Sequence, residues 1–283
     1  MHDKSEWVKH SLVALGEYQK ICESFLSGSK PRIDPEAQWV ISQLAMSCFY
    51  ASRSTTVLIE SDYVWDADIL IRSVVEGSFK LVFMCTTDKA EHERRIKEYW
   101  DELPEIAQIK DFQRMEDFFT EAKIPDTSEL RTFSRPQTYI NNLRRKFPRK
   151  ERRIIEHKWS LIRIVSELAK ENIPNYDRLL KIPFDYGMAS HFAHKDGDAI
   201  LFQEYLLRMP SKKRNVWVLA TAARILSDLM ILANYRALTI FKLHLVDIQP
   251  VMDVYNKHKD LYDELVSTRK VIGQLRVNEK SNK

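Results

Sequence analysis

Residues 216–241, VWVLATAARILSDLMILANYRALTIF, form the most apolar run of the chain and set the first constraint on its fold. A helix of this length would cross a bilayer. However, Arg224, Asp228 and Arg236 interrupt it, and charge near a bilayer centre is expensive. The run therefore reads as a long central core helix, about 212–246, that must be enclosed by other helices, and no membrane span is expected. Only six glycines and ten prolines occur in 283 residues, so tight turns are few. With no strand-like alternation and no internal repeat, the expected fold class is all-α.

Start and stop signals divide the chain into about nine helices. The first spans 5–27, with Trp7, Leu12, Leu15, Ile21 and Phe25 as its apolar stripe, and SGSKP ends it. Asp34 followed by Pro35 and Glu36 marks the start of the next, which runs to about Ser61. A third covers 64–86, after which Thr87 or Asp88 caps KAEHERRIKEYWDEL. Pro104 is expected to break or kink the pattern. IPDTS, SRPQ and FPRK make 124–158 an irregular basic insertion, and WSLIRIVSELAKEN resumes helix at 159–172. Pro250 starts the last helix, and 278–283 reads as a frayed tail. The expectation is one elongated multi-helix bundle forming a single domain over 1–277.

The apolar fraction of 44% and charged fraction of 30% are those of a soluble globular chain. Cys22, Cys48 and Cys85 are odd in number and lie in apolar helical patterns, so they read as reduced core residues of a cytoplasmic protein. The N-terminal residues lack the apolar centre of a signal peptide. A net charge of +4 does not by itself imply nucleic-acid binding, but its distribution is uneven. NLRRKFPRKERRIIEHK, residues 142–158, holds eight Lys or Arg against two Glu. Arg144, Arg145, Lys146, Arg149, Lys150 and Arg153 are therefore the candidate nucleic-acid contacts, the alternative being a solvated helix end.

Two further constellations depart from a plain core pattern. Arg72 and Glu76 stand four apart on a helix otherwise crowded with Ile69, Leu70, Ile71, Val74, Val75 and Phe79. They form either a structural ion pair or the wall of a site. In DYGMASHFAHKD, residues 185–196, Tyr186, Ser190 and His194 recur every four residues and form one polar stripe of phenol, hydroxyl and imidazole. His194 could exchange a proton near neutral pH, and Ser190 could act as a donor or nucleophile. His191 with His194 and Asp185 or Asp196 is a weak metal pattern, so no metal site is expected. No GxSxG elbow, Walker loop or GxGxxG occurs, and no cofactor is expected.

The order Leu70-x-Arg72-Ser73-x-x-Glu76, then Lys158-Trp159, then Tyr186-x-x-x-Ser190-x-x-x-His194 resembles the all-helical bacterial family catalogued as domain of unknown function 5677, over roughly 40–205. The resemblance brings no established reaction. It implies that Arg72, Glu76, Tyr186, Ser190 and His194 belong to one site, with Trp159 as a nearby packing or stacking residue. A looser resemblance links RRIIEH, with Arg152 and His157, to HEPN domains, many of them RNases of toxin–antitoxin and antiphage systems. It implies an alternative catalytic pair in which histidine moves a proton and arginine stabilises phosphorane charge.

Two functional expectations follow. One is a bacterial defence protein that acts on RNA, another nucleic acid or a nucleotide, in the HEPN-like case as an RNase toxin. The other is a non-catalytic helical sensor or partner-binding subunit, in which the Arg/Glu/Tyr/Ser/His cluster binds a small anion or fixes helix packing. A homodimer, or a partner protein from the same defence system, is compatible with either, although no long heptad seam is legible.

Overall fold

The computed structural model describes residues 4–27, 33–125, 127–171, 179, 182 and 197–281, with side chains described to 270. Every regular element among these residues is helical. The described residues divide into two compact units: Met1–Thr86 with Val165–Lys283, and Thr87–Ile164 between them. No linker signal in the sequence marks this division. The described residues also carry more helices than the nine expected.

The larger unit contains α1 (Lys4–Leu26), α2 (Pro35–Glu60) and α3 (Val64–Cys85). The capping expected at Asp34 is present: its carboxylate accepts from the backbone N–H of Glu36 at 2.9 Å and of Ala37 at 3.2 Å, with Pro35 opening α2. α2 packs along α3, and a Cβ added at Gly77 would lie 2.5 Å from Cys48 Sγ. Glycine is what allows that approach. Buried hydroxyls on the same helices are satisfied locally, with Ser52 donating to the Cys48 carbonyl at 2.7 Å and Ser78 to that of Val74 at 2.5 Å. All three cysteines are free and buried as expected, and burial pushes the thiols of Cys22 and Cys85 up to about 12.

The chain returns to this unit within α8 (Leu161–Leu168) and continues as α9 (Gly197–Arg208), α10 (Ser211–Leu243), α11 (Gln249–Lys257) and α12 (Lys259–Ser281). The last helix expected from Pro250 is thus interrupted at His258. α10 is the one described helix long and apolar enough to cross a membrane, but 83% of its apolar window is buried. It packs against α1, α3 and α12, as a central core helix would.

Two of the three charges that interrupt α10 meet opposite charge, and the third, Arg236, meets a hydroxyl and an aromatic ring. Asp68 of α3 and Asp228 of α10 both pair with Arg224. Asp228 also accepts from Arg269 of α12 at 2.6 Å. Arg236 is completely buried. It donates to Ser78 Oγ at 2.6 Å and lies 5.0 Å from the centre of the Phe49 ring.

The smaller unit begins with α4 (Lys89–Lys97), capped by Asp88 through the Glu91 N–H at 3.0 Å. A π-helical turn, Glu98–Glu102, joins it to α5 (Leu103–Glu121). Pro104 therefore ends no helix. It sits in the first turn of α5, where its missing N–H is tolerated, and the widened turn precedes it.

A 3₁₀ turn, Glu129–Phe133, leads to α6 (Gln137–Lys146) and α7 (Arg149–Lys158). The irregular insertion expected over 124–158 is therefore largely helical, and the compact unit around it starts as early as Thr87. Pro136 and Pro148 are the N-caps of α6 and α7, where the missing N–H interrupts no helical hydrogen bond. α6 packs on α5 through Ile109, Phe112, Ile140 and Leu143.

Candidate nucleic-acid interface

α7 begins after Pro148 and places ten residues, RKERRIIEHK, on under three turns of helix. At about 100° per residue, Arg149, Arg153, His157, Lys150 and Ile154 fall within an arc of about 140°. These five residues line an open groove of about 650 Å³ in the smaller unit. All are exposed, Ile154 at 59%. The opposite face of α7 is less exposed. Ile155, Glu156 and Lys158 turn inward there, with Glu156 pairing with Lys110 of α5 at 2.6 Å and Trp159 buried just beyond the helix end.

The inner face is anchored by a charge cluster within the same unit. Trp159 Nε1 donates to Glu98 Oε2 at 2.9 Å, and Lys158 Nζ donates to the same oxygen at 2.7 Å. Arg94 reaches the other Glu98 oxygen at 2.8 Å, and Tyr99 packs on the Trp159 ring with centroids 5.3 Å apart.

Two turns before Glu98, Glu91 accepts from Arg94 at 2.6 and 2.7 Å and from Arg95 at 2.7 Å, with Lys158 at 3.4 Å. Burial alone would raise the Glu91 carboxyl. The hydrogen bonds from Arg94 and Arg95 and the Lys158 charge outweigh it and hold the group at about 2. The Lys158–Trp159 pair thus locks α7 to the π turn, and Trp159 packs and hydrogen-bonds inside this unit.

The candidate cations divide into two groups. Arg144 donates to Gln113 at 3.2 Å and lies 5.8 Å from the Phe112 ring centre, Arg145 donates to Asn142 at 2.6 Å, and Lys146 to Glu105 at 2.5 Å. These three serve α6 and its contact with α5. Arg149, Lys150, Arg153 and His157 make no ion pair or side-chain hydrogen bond among the described residues. Arg152 stands apart. It is half-buried, does not line the groove, and lies about 140° around the helix from His157. The helix geometry therefore does not place Arg152 and His157 on one face of one chain.

Of the other expected cluster, Arg72 and Glu76 are described. They pair at 3.6 Å across one turn of α3, each about one-third exposed, and Lys80 adds a second cation to Glu76 at 3.7 Å. Tyr186, Ser190 and His194 lie outside the described residues, as do His191, Asp185 and Asp196. Among the described residues no group of three or more His, Cys, Asp or Glu could hold a metal ion.

Sequence reasoning missed two charge networks, Glu91/Glu98 with their cations and Asp68/Arg224/Asp228/Arg269. The signal for the first was present: Glu91 and Glu98 are a heptad apart on one helix face, with Arg94 and Arg95 between them. The second joins three helices distant in sequence and has no local signature.

A family model described as a family of unknown function (DUF5677) matches residues 38–209, more than half of the chain. No curated protein and no solved structure matches it.

Proposed function

The chain belongs to the DUF5677 family, and on that premise, which supplies no reaction, we propose that it binds single-stranded nucleic acid through the outer face of α7. The observation that carries this reading is the split among the cations. Those of α6 are engaged within their own unit, whereas Arg149, Lys150, Arg153 and His157 share one exposed face without a carboxylate partner among the described residues.

A cationic stripe of this kind matches a phosphate backbone, and binding releases counterions. The exposed Ile154 at its centre offers an apolar surface to a base or sugar. His157 adds an imidazole whose ring N–H can donate to a phosphate oxygen. A role in bacterial defence against foreign nucleic acid is the wider form of the same proposal.

Cleavage is the second reading, and His157 is the residue it would need. The test is fluorescence anisotropy of a labelled single-stranded RNA with wild type and with Arg149→Glu/Arg153→Glu, together with gel analysis of the same RNA after incubation. The proposal expects salt-sensitive binding that the double variant loses at least tenfold, with the helical circular dichroism intact. Equal binding by the two proteins would overturn it. RNA cut by wild type and left whole by His157→Ala would add catalysis to binding.

A further inference from the structure

α2 buries one face against α3 and α1 and leaves the other outside. On the outer face Trp39, Gln43, Met46, Tyr50, Arg53 and Val57 follow one another at intervals of 4, 3, 4, 3 and 4 residues. That is the spacing of a seam that another helix covers. Trp39 is 47% exposed, Tyr50 62% and Val57 52%. Gln43, Tyr50 and Arg53 make no side-chain hydrogen bond or ion pair among the described residues. Tryptophan, tyrosine and arginine are also the residue types that dominate binding energy at protein interfaces.

We propose that this seam pairs with the same seam of a second copy of the chain, antiparallel, about a two-fold axis level with residue 48. The argument is self-complementarity, which an isologous contact requires. With the axis at that level, Trp39 stands opposite Val57 of the second copy, Met46 opposite Tyr50, and Gln43 opposite Arg53. Each apolar side chain then meets an apolar or aromatic one. The single charge of the seam, Arg53, meets the single amide that can accept its hydrogen bond. A parallel pairing instead sets Arg53 against Arg53, so the charge pattern selects the antiparallel register.

The seam spans 19 residues, about 27 Å of helix, so its contact is at the small end for a specific interface and the dimer should be reversible and concentration-dependent. This inference rests on α2 alone and is independent of the nucleic-acid proposal.

The test is sedimentation of the full chain over a concentration series. Wild type should move from monomer to dimer as concentration rises, and Tyr50→Glu should remain monomeric with unchanged circular dichroism. Gln43→Glu should tighten the dimer about threefold to tenfold, because two Glu–Arg pairs form across the axis, and Gln43→Arg should loosen it by as much. Mixing Met46→Cys chains with Tyr50→Cys chains should give a disulfide-linked heterodimer under mild oxidation that neither chain gives alone.

A wild type that stays monomeric throughout overturns the proposal. So does a dimer that Tyr50→Glu leaves intact, which would place the contact on another surface. A Gln43→Glu chain that dimerises more weakly than wild type overturns the antiparallel register.

Discussion

The core of the larger compact unit and the outer face of α7 in the smaller one use arginine in opposite ways. In the larger one, Arg224, Arg236 and Arg269 reach into a helical core, and carboxylates, a serine hydroxyl or an aromatic face meet them. In the smaller one, Arg149 and Arg153 stand on the outer face of α7 with no such partner among the described residues. Both sets lie on helices and carry the same charge. What separates them is whether the fold encloses the guanidinium among side-chain partners, and that depends on tertiary packing. A charge held in a core network stabilises one helix arrangement, whereas one left in water on a groove remains available to a ligand.

The contrast can be broken at its strongest point first. Asp228 is 1% exposed and serves two arginines, so Asp228→Ala takes a carboxylate from Arg269 and leaves Arg224 to Asp68. It should cost about 3–5 kcal/mol, read by urea unfolding. Glu98→Ala removes the acceptor shared by Lys158, Trp159 and Arg94. A loss of about 2–4 kcal/mol is expected, with the near-ultraviolet dichroism of Trp159 changing first.

Acid should reproduce part of that effect through Glu91. Its folded value near 2 lies below the usual 4.5, so its contribution is fully present above pH 4.5 and is lost as pH falls through about 2. The contribution is at most about 3 kcal/mol, and Glu91→Gln should flatten stability against pH in that window.

Gly77→Ala gains helix propensity but drives a methyl into Cys48 Sγ. A net loss of about 1 kcal/mol is expected by thermal unfolding, and adding Cys48→Ala should relieve the steric part. Arg149→Glu/Arg153→Glu should be the smallest in stability, within about 0.5 kcal/mol of wild type.

Much of the architecture was legible in the sequence. The scarcity of glycine, the Asp34 and Asp88 caps and the charge-interrupted apolar run led to the helical class and to α10 as core. The insertion was misjudged because Pro136 and Pro148 were taken as breaks when each begins a helix, a distinction that local composition does not make. The six candidate cations looked equivalent as residues. Only the folded unit separates three of them from the groove: α5 brings Glu105 to Lys146 and Gln113 to Arg144, and Arg145 bonds Asn142 on α6 itself. The α2 seam was hidden for a similar reason: its 4-3 spacing has meaning only once the opposite face of the helix is known to be buried.

The most direct test of the contrast is the salt dependence of single-stranded RNA binding, measured for wild type, Arg149→Glu/Arg153→Glu and Arg145→Glu. The last reverses a charge of α6 that already bonds Asn142. The account predicts that the α7 double variant lowers the magnitude of the slope of log affinity against log salt by about 0.7 for each lost phosphate contact, while the α6 variant keeps the wild-type slope. Equal slopes for all three proteins, or equal losses in both variants, would contradict it, because α7 would then be no different from any other basic helix.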